Sequence, residues 1–146
     1  MEFDASLQAA EERADSGDLT GALSELEALR PGLTPQPAGQ LHLLLGALTA
    51  RTGDLEGAIP HLERSLLLAN VSQDVATALE ARVTHASVLG ALGLYDEAIP
   101  MLGRAVNELE AHPELAELRG EARAELRSYR NLVSPKTAAT WASLLT

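Results

Sequence analysis

The sequence predicts an all-α fold built from antiparallel helix pairs, and three observations favour it. Alanine and leucine dominate the apolar 46% of the 146 residues, and both rank high in helix propensity. β-branched residues are sparse and only 3% of the residues are aromatic, a composition that disfavours a sheet. The third observation is an internal repeat, because three stretches share one pattern of small residue, glycine, alanine and leucine.

Charge, cysteine content and hydropathy exclude several classes of partner, bonding site and location. The formal net charge is −10, and such an acidic surface repels phosphate backbones and anionic lipids, so we expect neither nucleic acid nor membrane as a partner. The absence of cysteine excludes a disulfide framework and thiolate metal sites. The first residues lack the pattern of a signal peptide, and the longest apolar run, near residues 41–50, is too short to cross a bilayer. We therefore expect a cytoplasmic protein.

The repeat is clearest in two stretches, GDLEGAIPHLERSL from Gly53 and GLYDEAIPMLGRAV from Gly93. One constant offset superposes Gly53 on Gly93, Ala58 on Ala98, Ile59 on Ile99, Pro60 on Pro100 and Leu62 on Leu102. A third stretch repeats the pattern with Gly17, Ala22 and Leu26. Seven residues before each glycine stands a small residue, namely Ala10, Gly46 and Ala86.

Each position of the pattern has a physical reason. The glycine suits the left-handed conformation at the end of a helix, and Asp18 and Asp54, which follow it, can cap the next helix. The alanine permits close approach of two helices, the leucine lies on the same helical face, and the earlier small residue faces the alanine. Each unit is therefore predicted to be a helix, a tight turn and an antiparallel helix. Pro60 and Pro100 fall in the first two turns of the second helix, where a lost backbone hydrogen bond disrupts least.

This pattern resembles the tetratricopeptide repeat over about residues 3–110. The resemblance implies a right-handed α-solenoid of antiparallel helix pairs, with one domain over residues 1–133 and units at about 3–34, 39–70 and 72–112. The units are degenerate, because the family's usual aromatic residues and repeat-ending proline are replaced. Ser6, His42 and Arg82 stand for the first-helix aromatic, Arg13, Thr49 and Leu89 for the tyrosine before the glycine, and Thr34, Asn70 and Glu110 for the proline.

The sequence also predicts the structure of the segments between and after the units. Residues 31–38, PGLTPQPA, are predicted to form a loop. Ser72 is expected to cap the first helix of the third unit, with Asp74 in its first turn. Residues 113–132 are predicted to form a helix that closes the last unit. For the tail, residues 134–146, one interpretation is a short helix that represents a truncated fourth unit.

No pattern in the sequence indicates catalysis. The four histidines lack the spacing of metal ligands, and phosphate-binding glycine loops and nucleophile motifs are absent. We therefore expect no metal, no cofactor and no enzymatic activity, and no catalytic residue is assigned.

The resemblance also implies a site, because tetratricopeptide proteins generally bind protein segments in a concave groove lined by first helices. It places ten groove positions here, at Leu7, Glu11, Gln40, Leu43, Ala47, Arg51, Glu80, Val83, Thr84 and Ser87. The basic residues with which the family clamps acidic chaperone tails are missing at these positions. We expect instead a protein or peptide segment with apolar side chains and some positive charge. An open alternative is that the closing helix or the tail covers some of these positions.

A second candidate contact is an arginine stripe on the predicted closing helix, formed by Arg119, Arg123, Arg127 and Arg130. Like charges at this spacing cost about a few tenths of a kcal/mol each in an isolated helix. In one interpretation the arginines lay their stems on the core and pair with Glu108 or Glu110. In the other they contact an acidic surface, such as the N-terminal unit of a second copy, because residues 1–38 carry eight acids and two bases.

Three functions fit these expectations. The leading hypothesis is a non-catalytic adaptor that binds a protein segment in the groove. The first alternative is a self-assembling homo-oligomeric scaffold, joined through its unlike ends or through Trp141 and Leu144 of the tail docked in a neighbour's groove. The second alternative is a tetratricopeptide chaperone of the kind that serves bacterial secretion systems.

Overall fold

The computed structural model describes residues 2–133, and helices dominate this part of the chain. Seven α-helices occupy it: α1 (Glu2–Asp15), α2 (Leu19–Ala28), α3 (Pro35–Arg51), α4 (Leu55–Val71), α5 (Val75–Ala91), α6 (Tyr95–Leu109) and α7 (Ala116–Leu132). A 3-10 turn over Pro113–Leu115 precedes α7, so the predicted helical segment 113–132 is divided in two. The tail predicted over residues 134–146, with Trp141, lies outside the described residues.

The helices pack mainly against their neighbours in sequence, consistent with an antiparallel helical array. Contacts between helices two apart in sequence run along the odd-numbered helices, from α1 to α3, from α3 to α5 and from α5 to α7. The odd-numbered helices therefore lie side by side in one row. The all-α prediction is confirmed. Within residues 2–133, no helix has both the length and the apolar character needed to cross a bilayer.

The predicted glycine turns are present between the paired helices. Gly17, Gly53 and Gly93 have φ values of 106°, 96° and 81°, the left-handed region that glycine enters without strain. Asp18 and Asp54 follow the first two turns, and their carboxylates accept hydrogen bonds from the amides of Gly21 and Gly57, the third residue of the next helix in each case, both at 2.9 Å. Both cap predictions are confirmed.

The repeated alanine and leucine positions form the centre of the packing. The alanine and the leucine of all three units have a relative exposure of 0%: Ala22, Ala58, Ala98, Leu26, Leu62 and Leu102. Gly46 shows why the preceding small residue is needed. A Cβ at Gly46 would stand 2.7 Å from Leu62 Cγ and 3.3 Å from the Ala58 carbonyl oxygen, so the helices approach too closely for a side chain.

The proline-rich segment 31–38 is a loop only in its first half, and the predicted loop is wrong from Pro35 onward. α3 begins at Pro35, and Thr34 stands before it in extended conformation (φ −72°, ψ 165°). The first helical turn has no internal acceptors for its amides, so proline loses nothing there, and its fixed φ suits the helix. The Ala38 amide closes the turn with a 3.0 Å hydrogen bond to the Thr34 carbonyl.

The cap predicted at Ser72 is also wrong, because α4 extends further than expected. Ser72 ends α4, and its hydroxyl donates to the Leu68 carbonyl at 2.9 Å. Gln73 then takes a left-handed turn with φ 57°. Asp74 caps α5 instead, since its carboxylate accepts hydrogen bonds from the Thr77 amide at 3.3 Å and the Thr77 hydroxyl at 2.6 Å.

The two prolines of the repeat lie inside helices at matching places. Pro60 is the sixth residue of α4, and Pro100 is the sixth residue of α6. Both are exposed, so the carbonyl that each leaves without an amide partner can be hydrated. This explains how two equivalent helices, α4 and α6, each tolerate a proline.

Substitution of Gly46 by alanine is expected to lower the free energy of unfolding by about 1–3 kcal/mol, because the new methyl group overlaps the buried Leu62 side chain. The matched control is Gly120→Ala in α7, where a Cβ meets no atom within 4 Å. That change should raise stability by up to about 1 kcal/mol, as alanine favours helix. Urea denaturation of both variants measures the difference. Effects of the same sign would contradict the close packing of α3 on α4.

Candidate functional site

A groove runs across the open faces of α1, α3 and α5. Its volume is about 570 Å³. We call it the α1–α3–α5 groove, and it is lined by Asp4, Leu7, Gln8, Glu11, Gln40, Leu43, Leu44, Ala47, Thr77, Glu80 and Thr84. The groove exists because the three odd-numbered helices lie side by side and each leaves one stripe uncovered. On α3, for example, Leu41, Leu45 and Leu48 are buried against α1 and α2, whereas the neighbouring stripe with Leu43 and Ala47 lines the groove.

The lining of the groove combines an apolar centre with acidic borders. Leu7, Leu43 and Ala47 are half-buried, and they supply apolar surface that a ligand can cover. The carboxylates of Asp4 and Glu11 come from α1, and that of Glu80 comes from α5. No lysine, arginine or histidine lines the groove among the described residues. The groove therefore presents apolar surface beside negative charge.

The environment of Glu80 disfavours the charged form of its carboxylate. Its side chain reaches solvent, but it stands within the groove and is partly screened from bulk water. Desolvation raises the pKa of Glu80, and the negative charges of Glu11, Glu121 and Asp74 raise it further. No basic side chain forms an ion pair with Glu80 in the described part of the chain. A cationic group in the groove would relieve this unfavourable environment.

The structure brings together seven of the ten predicted groove residues. These are Leu7, Glu11, Gln40, Leu43, Ala47, Glu80 and Thr84. They come from three separate helices and meet in one cavity. Their role in binding a partner stays a prediction.

Three predicted residues lie elsewhere. Arg51 donates to Asp15 at 3.1 Å, at the end of α3. Val83 belongs to the core, where it packs in one cluster with Leu126. The Ser87 hydroxyl donates to the Glu125 carboxylate at 2.6 Å, so α7 covers this position, as the open alternative had allowed.

Four lining residues were missed by sequence reasoning, namely Asp4, Gln8, Leu44 and Thr77. Periodicity could have found Asp4 and Gln8, which stand one turn before Leu7 and Glu11 on α1. Thr77 stands one turn before Glu80. It was missed because the groove positions carried over from the resemblance begin at Glu80 on this helix.

The arginine stripe divides into two parts. Arg119 donates to Glu110 at 3.0 Å, one of the pairings that the sequence suggested, whereas Glu108 binds Arg82 at 2.9 Å instead. The other three arginines, Arg123, Arg127 and Arg130, line a second groove of about 400 Å³ between α6 and α7. We call it the α6–α7 groove, and its lining is completed by Gly103, Val106, Asn107, Leu126 and Asn131. Within residues 2–133 these three form no ion pair.

Two histidines meet where α3 packs on α4. The Nδ1 atoms of His42 and His61 are 3.1 Å apart, and their rings stack with centroids 5.3 Å apart. Burial lowers the pKa of His42 to about 4, and His61, Arg30 and Arg64 add to the shift. Both rings are thus neutral near pH 7, with one nitrogen donating to the other. The described residues contain no cluster of three or more histidine, aspartate or glutamate side chains arranged to hold a metal ion.

Comparison with known proteins adds no family assignment. No model of a known protein family matches the chain, and a search of curated proteins finds no significant relative.

The histidine pair makes stability depend on pH. The pKa of His42 is about 4 in the folded protein, against about 6.5 for an unfolded histidine. The unfolded chain therefore binds the proton more readily, and the free energy of unfolding falls as pH decreases from about 6.5 towards 4. The expected contribution is at most about 3 kcal/mol.

Urea denaturation at several pH values tests this dependence in wild type and His42→Leu. The variant should show a flatter pH dependence, whereas the control His112→Gln, outside the α3–α4 contact, should keep the steep one. Parallel curves for wild type and His42→Leu would rule out the pair as the source.

Proposed function

We propose that the chain is a non-catalytic adaptor that binds a protein segment in the α1–α3–α5 groove. The observation that carries the proposal is the lining of this groove, with an apolar centre, carboxylates at its borders and no basic side chain among the described residues. A volume of about 570 Å³ holds a few side chains of one segment. An amphipathic helix or an extended strand with apolar anchors and lysine or arginine fits this chemistry.

The architecture supports the same proposal. Helix pairs joined by left-handed glycine turns, equivalent alanines and leucines with no exposure, and a row of odd-numbered helices are what a tetratricopeptide-like right-handed α-solenoid requires. In such a solenoid the row of first helices lines the binding surface. We therefore extend the resemblance of the sequence to the fold and to the use of this surface.

The charge of the groove argues for one kind of segment over another. The acidic tails that tetratricopeptide clamps hold would meet Asp4, Glu11 and Glu80 here, so they are excluded by repulsion. A segment with positive charge would instead be attracted. Apolar contact with Leu7, Leu43 and Ala47 would supply most of the binding free energy.

A peptide-display selection tests the groove directly. The immobilised intact chain is the bait, and a Leu43→Arg, Ala47→Arg variant, first shown to be folded by circular dichroism, is the counter-selection. Enriched peptides should combine apolar side chains with lysine or arginine. In fluorescence anisotropy their affinity for the variant should fall by more than about tenfold, since each arginine puts a buried charge against apolar groups.

The control for this experiment is Leu67→Arg, which adds an arginine at a leucine of α4 that is 56% exposed and outside the groove. It should bind the selected peptides as the wild type does. Enrichment of acidic peptides would contradict the proposed site. Equal affinity of the selected peptides for the wild type, the Leu43→Arg, Ala47→Arg variant and Leu67→Arg would contradict it as well.

The acidic borders have a separate test. With a selected basic peptide, Glu11→Gln, Glu80→Gln should weaken binding by about tenfold and reduce its salt dependence, because two facing charges are lost. Glu56→Gln, Glu63→Gln removes the same number of charges from α4, outside the groove. An equal loss of affinity in both variants would show that only the net charge of the protein matters.

A further inference from the structure

The two ends of the helical array carry opposite free charges. α1 packs against α2 and α3, and α7 packs against α5, α6 and the 3-10 turn, so within the described residues each is an end helix. On α1, the exposed carboxylates of Asp4 and Glu11 form no ion pair with any residue of the described range 2–133. On α7, Arg123, Arg127 and Arg130 are exposed and likewise pair with no acid of that range.

The α6–α7 groove is built to receive anionic groups. Three guanidinium groups and the side-chain amides of Asn107 and Asn131 line one cavity, and arginine binds carboxylates through paired donors. Their own helix supplies these arginines with no acidic partner at helical spacing. On α7 no acidic residue stands three or four positions from Arg123, Arg127 or Arg130, and residues 134–146 contain no aspartate or glutamate.

The α1 helix presents carboxylates at the matching spacing. Asp4 and Glu11 are seven residues apart, as are Arg123 and Arg130, which places each pair about 10 Å apart along its helix. Gln8 stands between the two acids where Arg127 stands between the two arginines. Two helices laid side by side can therefore bring each carboxylate to one guanidinium group.

We propose that the α6–α7 groove binds helix α1 of a second copy of this chain. The contact joins unlike ends, so it is head-to-tail and adds further copies unless a ring closes. It does not depend on any ligand of the α1–α3–α5 groove. Since Asp4 and Glu11 also line that groove, self-association and the binding of a basic segment would compete for the same carboxylates.

Sedimentation velocity of the purified chain tests the proposal over a range of protein concentration and ionic strength. The wild type should form species beyond the dimer as concentration rises, and high ionic strength should dissociate them. Arg123→Glu, Arg130→Glu should weaken association by more than about tenfold, and so should Asp4→Arg, Glu11→Arg. A mixture of these two variants should associate again, because the reversed ends are complementary.

Three results would overturn the proposal. A monomer at every concentration would remove the contact, and a dimer that does not grow would indicate a symmetric interface instead. Association that is lost in Trp141→Ala but kept in both charge-reversed variants would assign it to the tail. Circular dichroism of each variant shows that any loss reflects the contact and not unfolding.

Discussion

Close contact between paired helices at small, buried residues is the constraint on which the rest of the structure depends. At Gly46 the backbone of α3 lies against Leu62 of α4, and no side chain fits between them. Ala10 and Ala86 hold the corresponding places in the other pairs, each with 0% exposure. Short distances within pairs let leucines such as Leu26 and Leu102 interlock with the adjacent helix. This packing buries most of the leucines, and it leaves one stripe on each of α1, α3 and α5 to line the groove.

Features fixed by a few neighbouring residues could be predicted from the sequence. The left-handed turns at Gly17, Gly53 and Gly93 and the caps at Asp18 and Asp54 depend on local backbone geometry. The errors arose where two local signals compete. Pro35 can end a loop or begin a helix, and both Ser72 and Asp74 can cap. In each case the length of the adjoining helix decides, and packing sets that length rather than the cap residue.

The site was predictable only in part, for a similar reason. The resemblance to the tetratricopeptide repeat placed Leu43 and Ala47 on the stripe of α3 that lines the groove. The sequence could not show that α7 packs over α5, where the Ser87 hydroxyl donates a hydrogen bond to Glu125. Such contacts join residues far apart in the sequence, and side-chain geometry decides them. The same applies to the histidine pair, since nothing in the spacing of His42 and His61 indicates that their rings stack.

Packing between sequence neighbours also governs how the chain folds. Each helix pair closes a short loop, so its entropy cost is small and it can form before distant parts of the chain meet. The contacts between α2 and α3 are the sparsest between consecutive helices, whereas α3, α4 and α5 share extensive interfaces. We therefore expect the α1–α2 hairpin to be the unit that opens first under native conditions. Its opening would dismantle one wall of the α1–α3–α5 groove while the remaining walls stay folded.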